Sequence, residues 1–271
     1  MSAKARANAN NTRVAAKADF PSRARSSAGD DRGVQPGGRG RGLSLKALIG
    51  IGYGFLIASV IGMVWANLRV DDPSAASLAD LSAAILFEVL SWAGLPILTW
   101  CFVHQYRAHA GSWAMLGWIA AAALVAEVPY DLAVSQRAFD FSSQNLVWAF
   151  VVCFLLAKAL ETTKSGGLKV LAIVGAVLWL VLLCVGVRFG LVYVGLFVFA
   201  FFLVFWFLSA RENTMMMTAG LLGASLLVAP ALGTVFLHYR STTIEDDRSS
   251  HWGLLWAYPV LMVLAAFSAI A

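Results

Sequence analysis

Eight apolar runs, each close to the length of a helix that crosses a lipid bilayer, constrain the fold of this chain most strongly. They cover about residues 45–67, 79–103, 112–133, 145–160, 168–187, 189–209, 214–237 and 251–271. A membrane-spanning helix needs about 17 to 25 consecutive apolar residues. Of the 271 residues, 60% are hydrophobic and 13% are charged, whereas a soluble domain has about 45–50% and about 25%. The sequence therefore predicts an all-α, polytopic integral membrane helix bundle of about eight transmembrane helices.

Residues 1–44 form a separate segment, rich in Ala, Arg, Ser, Gly and Asn, without a repeating apolar face. Such a segment cannot bury enough apolar surface to offset its ordering entropy, so it is predicted to be a disordered basic cytosolic tail. RNA binding and a transit peptide are alternative interpretations of its Lys and Arg content. Contact with anionic membrane lipid is favoured, and no nucleic-acid partner is expected. The predicted domains are this tail and a transmembrane domain over residues 45–271.

The distribution of Lys and Arg predicts the orientation in the cell membrane, because cytosolic loops are enriched in these residues. With eight spans and a cytosolic tail, the inner side receives ten from residues 1–46 and five more, fifteen in total. The outer side receives five, namely Arg69, Arg137, Arg188, Arg240 and Arg248. Both termini are therefore predicted to be cytoplasmic. Without the tail the two sides are equal, so this multi-pass orientation depends on the tail.

Two of the apolar runs contain residues that interrupt helices. The second run includes Gly94 and Pro96, where a kink is expected because Pro lacks a backbone donor. The seventh run contains Gly220, Gly223 and Pro230, and it is the other candidate for a bent helix.

The third run carries two carboxylates, Glu127 and Asp131, in the string AEVPYDLAV. An ionisable group at mid-membrane costs roughly 2.5 to 3.5 kcal/mol, so it indicates either a function or a buried pair. Four residues apart, the two side chains share one helical face, and neighbouring carboxylates can share a proton for acid/base chemistry. A structural role, in which Glu127 pairs with Arg188 or Arg137 or caps a neighbouring helix, is equally compatible with the sequence.

Other polar residues give weaker signals. Glu88 is expected to face the bundle interior, with no partner assignable from the sequence. His104, Arg107 and His109 lie in the loop string HQYRAHAG, which could contact a phosphate or coenzyme A, although a solvated basic connector is favoured. The three cysteines, Cys101, Cys153 and Cys184, lack metal-ligand or disulfide spacing, so no metal is expected.

The string AEVPYDLAV, followed by Gln144-Asn145 and another apolar run, resembles the SEIPFDLAF and QN pattern of TraX-family membrane proteins. That family is named for the pilin N-acetyltransferase of conjugative plasmids. The string GLPILTW, ahead of a short basic loop, is similar to the family's AFPIFAF, and Tyr258-Pro259 matches its Tyr-Pro-His. The resemblance covers about residues 46–271, so the transmembrane domain is TraX-like.

The chain departs from the family pattern at several positions. Where the family commonly has Asp-His in its first helix, this chain has Ser59-Val60, and Trp92 replaces an Arg. Arg188-Phe189-Gly190 stands where the family tends to show Asp-Tyr-Gly. The remaining departures are His104-Gln105 in place of Glu-Gly, and Val260-Leu261 in place of the His after Tyr-Pro.

The resemblance implies a membrane-embedded acyltransferase that moves an acyl group from cytosolic acyl-CoA, such as acetyl-CoA, to an acceptor at the outer face. Glu127 and Asp131 would then be catalytic, and Gln144, Asn145 and Tyr258 would bind substrate. The alternative is a catalytically degenerate member that acts as a subunit or scaffold of a cell-envelope complex with a membrane-protein partner. A transporter is less favoured, because the two halves show no inverted repeat.

Overall fold

The computed structural model describes residues 42–70, 76–188, 190–241, 244 and 255–270. This part of the chain contains ten α-helices and one two-stranded antiparallel β-ribbon, and it confirms the predicted all-α bundle. The predicted tail lies outside the described residues, apart from residues 42–44. The elements are α1 Leu45–Arg69, α2 Leu78–Ser91, α3 Gly94–Ala108, α4 Trp113–Ser135, α5 Val147–Thr162, α6 Gly166–Leu182, β1 Val187–Arg188, β2 Val192–Tyr193, α7 Val194–Phe207, α8 Glu212–Ser225, α9 Ala229–His238 and α10 Ala257–Ile270.

Within the described ranges, three segments are long and apolar enough to cross a membrane, judged by length and composition: Leu45–Arg69, Leu78–Ala108 and Trp113–Ser135. Each is preceded by a serine whose side chain accepts a hydrogen bond from a backbone N–H in the first turn. Serine is a favoured residue at this position because it satisfies one of the free N–H groups of the first turn. The sequence therefore specifies the starts of these helices locally.

Segments that follow one another along the chain mostly alternate in direction between two ends of the bundle, whereas α4 and α10, which pack together, run the same way. We name the end that holds Leu45 the proximal end and the end that holds Arg69 the distal end. At the distal end the side chain of Asn67 donates a hydrogen bond of 3.2 Å to the carbonyl of Ala133, near the end of α4. At the proximal end Tyr106, near the end of α3, donates one of 2.8 Å to Glu161 of α5.

The break in the second apolar run lies at Trp92–Ala93, between α2 and α3. The sequence predicts a kink at Gly94 and Pro96, a few residues further on. Pro96 lies in the first turn of α3, where its missing N–H costs no hydrogen bond. Gly94 packs against α1, since a Cβ there would lie 2.7 Å from the carbonyl oxygen of Gly52.

The seventh apolar run does not form one spanning helix. It is interrupted after Ser225, and Leu227 and Val228 both have positive φ, 69° and 66°. The chain reverses there, so that α8 and α9 form a helical hairpin. Gly223 permits the close contact, because a Cβ at this position would lie 2.5 Å from the backbone nitrogen of Ala231.

Both ends of the α8–α9 hairpin lie at the proximal end. Arg240, just after α9, donates a hydrogen bond of 2.9 Å to Glu212 in the first turn of α8. The backbone N–H of Leu43, just before α1, donates one of 2.8 Å to the carbonyl of Tyr239. The sequence prediction had placed Arg240 on the opposite side of the membrane, and the hairpin is the reason for the difference.

Helix α10 runs from the proximal towards the distal end. Near its start Trp256 packs edge-on against Trp118 of α4, with ring centroids 6.1 Å apart. Near its end the hydroxyl of Ser268 accepts a hydrogen bond of 3.4 Å from Asn67. The sequence predicted eight crossings and both termini on one side. In the described part of the chain α1, α2–α3, α4, α5, α6, α7 and α10 each run between the two ends, although three of these segments, α1, α2–α3 and α4, have the length of a full span. Gly42 and Ser268 lie at opposite ends.

Candidate functional site

Two groups of buried polar side chains lie in the distal half of the bundle. The first, which we name the carboxylate pair, consists of Glu127 and Asp131 of α4. The second, the Glu88 network, links residues of α1, α2, α4 and β1; its members are Ser59, Glu88, Trp92, Tyr130 and Arg188.

Helix α4 continues through Pro129 and ends at Ser135, where Gln136 adopts a left-handed conformation with φ 55°. The carboxylate pair therefore remains within a helix, four residues apart, as the sequence predicts. The sequence also allows the helix to end near Pro129, and the structure shows that it does not.

Glu127 is held by neutral donors from the start of α5. Its Oε2 atom accepts a hydrogen bond of 2.8 Å from the indole of Trp148 and another from the amide of Asn145. Its Oε1 atom is buried and has no hydrogen-bond partner among the described residues. Half of this carboxylate is thus satisfied, and the other half remains free to accept a donor.

Asn145 is fully buried and connects α4 to α5. Besides its bond to Glu127, its side-chain amide donates a hydrogen bond of 2.8 Å to the carbonyl of Ala123. Its Oδ1 atom accepts one of 3.0 Å from the backbone of Val147 in the first turn of α5. The Asn145 side chain therefore orients the Glu127 carboxylate from a rigid position.

Asp131 is 3% exposed and also half satisfied. Its Oδ2 atom accepts a hydrogen bond of 2.9 Å from the backbone N–H of Asp140, and its buried Oδ1 atom lacks a partner within the described ranges. Asp140 is half-buried and accepts hydrogen bonds from the hydroxyl and the backbone N–H of Ser142. These two bonds lower the pKa of Asp140 below its ordinary value.

In the Glu88 network, a carboxylate is satisfied on both oxygens. Oε1 of Glu88 accepts hydrogen bonds of 2.8 Å from Nε of Arg188 and of 3.3 Å from the indole of Trp92. Oε2 accepts one of 2.5 Å from the hydroxyl of Ser59. The Glu88–Arg188 contact is an ion pair whose side chains are 10% and 14% exposed. These groups close the network around a buried charge pair.

Tyr130 joins the Glu88 network to the loop before α5. Its hydroxyl is hydrogen-bonded to Nη1 of Arg188 and lies 2.7 Å from Oγ of Ser143. Ser143 in turn donates a hydrogen bond of 2.9 Å to the carbonyl of Val187. The guanidinium of Arg188 also lies over the Tyr130 ring, 5.1 Å from its centroid. Tyr130 therefore lies between Glu127 and Asp131 in the sequence, and it connects the Glu88 network to the β-ribbon through Ser143.

The predicted site residues do not share one set of contacts in the structure. Arg188 pairs with Glu88, and within the described chain no cation lies at ion-pair distance from Glu127, so the predicted alternative pairing with Arg188 or Arg137 is not formed. The backbone of Gln144 accepts a hydrogen bond of 2.7 Å from Gly186 and donates one of 3.1 Å to Cys184. Its side chain is partly buried.

One cavity lies beside the Glu88 network and a second adjoins it; Glu127 and Asp131 line neither of the two. A cavity of about 20 Å³ is bordered by the Glu88 network, and an apolar cavity of about 90 Å³ extends from it towards Gln105 in the proximal half. The residues common to both linings are Leu56, Leu95, Leu146 and Tyr258. Tyr258 is 5% exposed, and its position places it between the polar and the apolar cavity.

Sequence reasoning did not identify the contributions of Trp148, Tyr130 or the partner of Glu88. Trp148 follows Asn145 by three residues, so the helical period predicts that both side chains point in a similar direction. That signal could have linked Trp148 to Glu127. The Glu88–Arg188 pair joins residues 100 positions apart, and no local pattern in the sequence connects them.

Comparison with known proteins gives one finding. A family model described as TraX protein matches residues 70–268, which include all five predicted site residues. Neither the curated proteins nor the solved structures contain a match to the chain. Three positions that depart from the pattern quoted above, Ser59, Trp92 and Arg188, all contact Glu88. These three departures therefore form one connected group around Glu88.

Proposed function

Because the chain belongs to the TraX family, we propose that it is a membrane-embedded acyltransferase, which moves an acetyl or similar group from a cytosolic acyl-CoA to an acceptor at the outer face. The observation that carries this proposal is the half-satisfied carboxylate pair. A buried acceptor atom without a partner costs roughly 1 to 3 kcal/mol. Oε1 of Glu127 and Oδ1 of Asp131 are two such atoms on one helix face, suited to receive an N–H or O–H donor from an acceptor molecule.

In the proposed reaction the acceptor amine or hydroxyl attacks the thioester carbonyl of the acyl-CoA. Its proton passes to Glu127 or Asp131 as the new bond to carbon forms. The carbon–sulfur bond then breaks, and the thiolate leaves with a proton returned by the same carboxylic acid. A positioned general base of this kind contributes about 10² to 10⁴ in rate.

The residues after α4 support this chemistry in two ways. Asn145 and Trp148 act as positioning residues, because their donors fix Oε2 of Glu127 and leave Oε1 directed elsewhere. For the developing oxyanion we assign a side-chain donor from Gln144, whose backbone is fixed by the β-bridge to Val185. Tyr258 would line the space for the acyl group, between the polar and the apolar cavity.

The described Lys and Arg residues support the proposed membrane orientation. Seven lie towards the proximal end: Lys46, Arg107, Lys158, Lys164, Lys169, Arg211 and Arg240. Three lie towards the distal end: Arg69, Arg137 and Arg188. The sequence prediction, without the tail, had equal numbers of Lys and Arg on the two sides. The proximal position of Arg240 makes the two numbers unequal. The positive-inside rule therefore supports a cytosolic proximal end, which would place the carboxylate pair near the outer face.

A scaffold role in the cell envelope, with a membrane-protein partner, is the second candidate, and one observation favours it. Where the family pattern has an Asp-His in the first helix, this chain has Ser59-Val60, and the hydroxyl of Ser59 is bound to Glu88. The position thus supplies a structural hydrogen bond and no imidazole base. A catalytically degenerate member would retain the bundle and lose the transfer reaction.

The test uses the purified full chain in lipid nanodiscs, with acetyl-CoA and a panel of amine and hydroxyl acceptors. Acyl transfer is followed by mass spectrometry for wild type, Glu127→Gln and Asp131→Asn. Glu161→Gln, which alters a carboxylate at the proximal end, is the matched control. We expect the distal variants to lose about 10²-fold or more in rate, and the control to retain the wild-type rate.

Wild-type rates in both distal variants would exclude catalysis by the carboxylate pair. Absence of transfer by the wild type, with a partner protein co-purified equally by wild type and variants, would favour the scaffold role.

A further inference from the structure

A basic cavity of about 320 Å³ lies at the proximal end, far from the carboxylate pair. From Trp113 to Asp131, α4 spans 18 residues, or about 27 Å at 1.5 Å per residue. One wall of the cavity comes from α3 and α7, and the other from the α8–α9 hairpin and the residue that follows it. The lining residues are Trp100, Val103, His104, Arg107, Ala108, Phe205, Ser209, Met215 and Arg240.

Arg107 brings an exposed guanidinium to the rim of the basic cavity. It lies over the Trp206 ring, 5.1 Å from the centroid, and donates a hydrogen bond of 2.8 Å to the carbonyl of the same residue. A guanidinium carries five N–H donors. The ring and the carbonyl therefore fix the plane of the group while leaving donors that can face the cavity.

Arg240 contributes a second, mostly buried guanidinium, whose side chain is 9% exposed. It lies over Trp100, 5.1 Å from the ring centroid, and it donates a hydrogen bond of 3.0 Å to the carbonyl of Leu237. Its countercharge is Glu212, whose side chain is 63% exposed. An ion pair with so exposed a partner is weak, so an anion in the cavity can compete for Arg240.

The remaining charged and aromatic groups agree with an anionic ligand. His104 stacks on Trp100, with ring centroids 5.3 Å apart and an angle of 13° between the planes. Among the described residues, the carboxylates near the two arginines are Glu212, which pairs with Arg240, and Glu161. Glu161 accepts a hydrogen bond from the Tyr106 hydroxyl and interacts with Arg107 through its charge. Neither Glu212 nor Glu161 lines the cavity.

From this geometry we infer that the basic cavity binds a phosphate-bearing group. Two arginines with fixed guanidinium planes match the geometry of phosphate oxygens and allow two-point contacts. The chemistry is shared by a soluble phosphate ester and by the headgroup of an anionic lipid. The inference goes beyond the proposed function, because it concerns binding at the proximal end and does not require acyl transfer at the distal end.

The experiment measures binding to the purified full chain in mild detergent by native mass spectrometry. Adenosine 3′,5′-bisphosphate is the soluble probe, and short-chain phosphatidic acid is the lipid probe, with short-chain phosphatidylcholine as the zwitterionic comparison. Variants are Arg107→Gln and, as matched control, Arg211→Gln, which changes an exposed arginine at the same end that does not line the cavity. Ser209→Asp, at the exposed rim, adds a repelling carboxylate without disturbing buried packing.

We expect Arg107→Gln and Ser209→Asp each to weaken binding about tenfold, as loss of a charge-assisted contact predicts. Arg211→Gln and the distal variant Glu127→Gln should bind within about twofold of wild type. Binding of the bisphosphate alone identifies a soluble ligand, and binding of phosphatidic acid alone identifies a lipid headgroup. Equal weakening by Arg107→Gln and Arg211→Gln, or binding of neither anionic probe, would overturn the inference.

Discussion

Glu88 and Glu127 are both carboxylates in apolar helices of the distal half, and the structure treats them in opposite ways. Glu88 has an arginine, an indole and a hydroxyl as donors, and both of its oxygens are used. Among the described residues, Glu127 has only neutral donors, and all of them bind one oxygen. The first carboxylate is neutralised by the fold, whereas the second retains a buried oxygen that the described chain does not satisfy.

This difference separates a structural role from a chemical one. A buried ion pair with complete hydrogen bonding holds helices together, and it costs several kcal/mol when one partner is removed. A half-satisfied carboxylate contributes less to stability, because part of its desolvation is uncompensated. The sequence shows both residues only as Glu within apolar runs. The structural and the chemical role can be told apart only from the hydrogen-bond donors that the fold places around each carboxylate.

The sharpest test is the same substitution at both positions. Glu88→Gln removes the countercharge of Arg188 and should lower the free energy of unfolding by about 3 to 5 kcal/mol. Glu127→Gln retains a carbonyl oxygen for Asn145 and Trp148, so its cost should be below about 1 kcal/mol. Reversible unfolding in mixed detergent micelles measures both values. Equal losses in the two variants would remove the distinction between the two carboxylates.

A smaller effect is expected from Tyr130→Phe, which keeps the ring below Arg188 and removes the hydroxyl. Ser143 and Arg188 each lose a buried hydrogen-bond partner. The expected loss of stability is about 1 to 3 kcal/mol. Tyr239→Phe is the matched control, since Tyr239 is 64% exposed and its variant should unfold like wild type. A Tyr130→Phe protein as stable as this control would show that the network does not depend on the hydroxyl.

The smallest effect concerns Asp140, whose backbone N–H supports Asp131 and whose own side chain binds Ser142. Because folding lowers the pKa of Asp140, the charged carboxylate stabilises the fold at neutral pH, and this contribution is lost as the pH falls through that lowered pKa. Asp140→Asn should therefore lower the melting temperature slightly at pH 7. At a pH below the folded pKa the difference from wild type should vanish, and a difference that grows on acidification would contradict this account.

Much of the fold follows from local signals. The apolar runs predict the helices, the serine caps fix three of their starts, and Gly94 with Pro96 indicates the break to within a few residues. The α8–α9 hairpin was only partly predictable. Gly223 and Pro230 indicate a bend, but full reversal needs positive φ at Leu227 and Val228, which such residues rarely adopt. Tertiary packing imposes this conformation, so the number of crossings could not be counted from hydropathy.

The candidate site shows the same limit. The spacing of Glu127 and Asp131 predicts a shared face, because helical periodicity is a local property. The roles of their partners depend on contacts between distant segments, such as the one between Glu88 and Arg188. Asn145 was predicted to bind substrate, and that role stays a prediction; the structure adds the contacts that hold Glu127.

The α8–α9 hairpin also determines the order in which the membrane domain can be assembled. At 1.5 Å per residue its helices reach only about 21 Å and about 15 Å, short of the roughly 30 Å hydrocarbon core. Alone in lipid, its turn would expose backbone polar groups at a cost of several kcal/mol each. Gly233 instead packs on the carbonyl of Ala93, at the α2–α3 break, where a Cβ would overlap that oxygen. We therefore expect the hairpin to insert only after α2 and α3 have formed the surface on which it packs. A chain ending at Ser209 should integrate α1–α7 normally in a protease-protection assay. The hairpin without α1–α3 should fail to enter the bilayer.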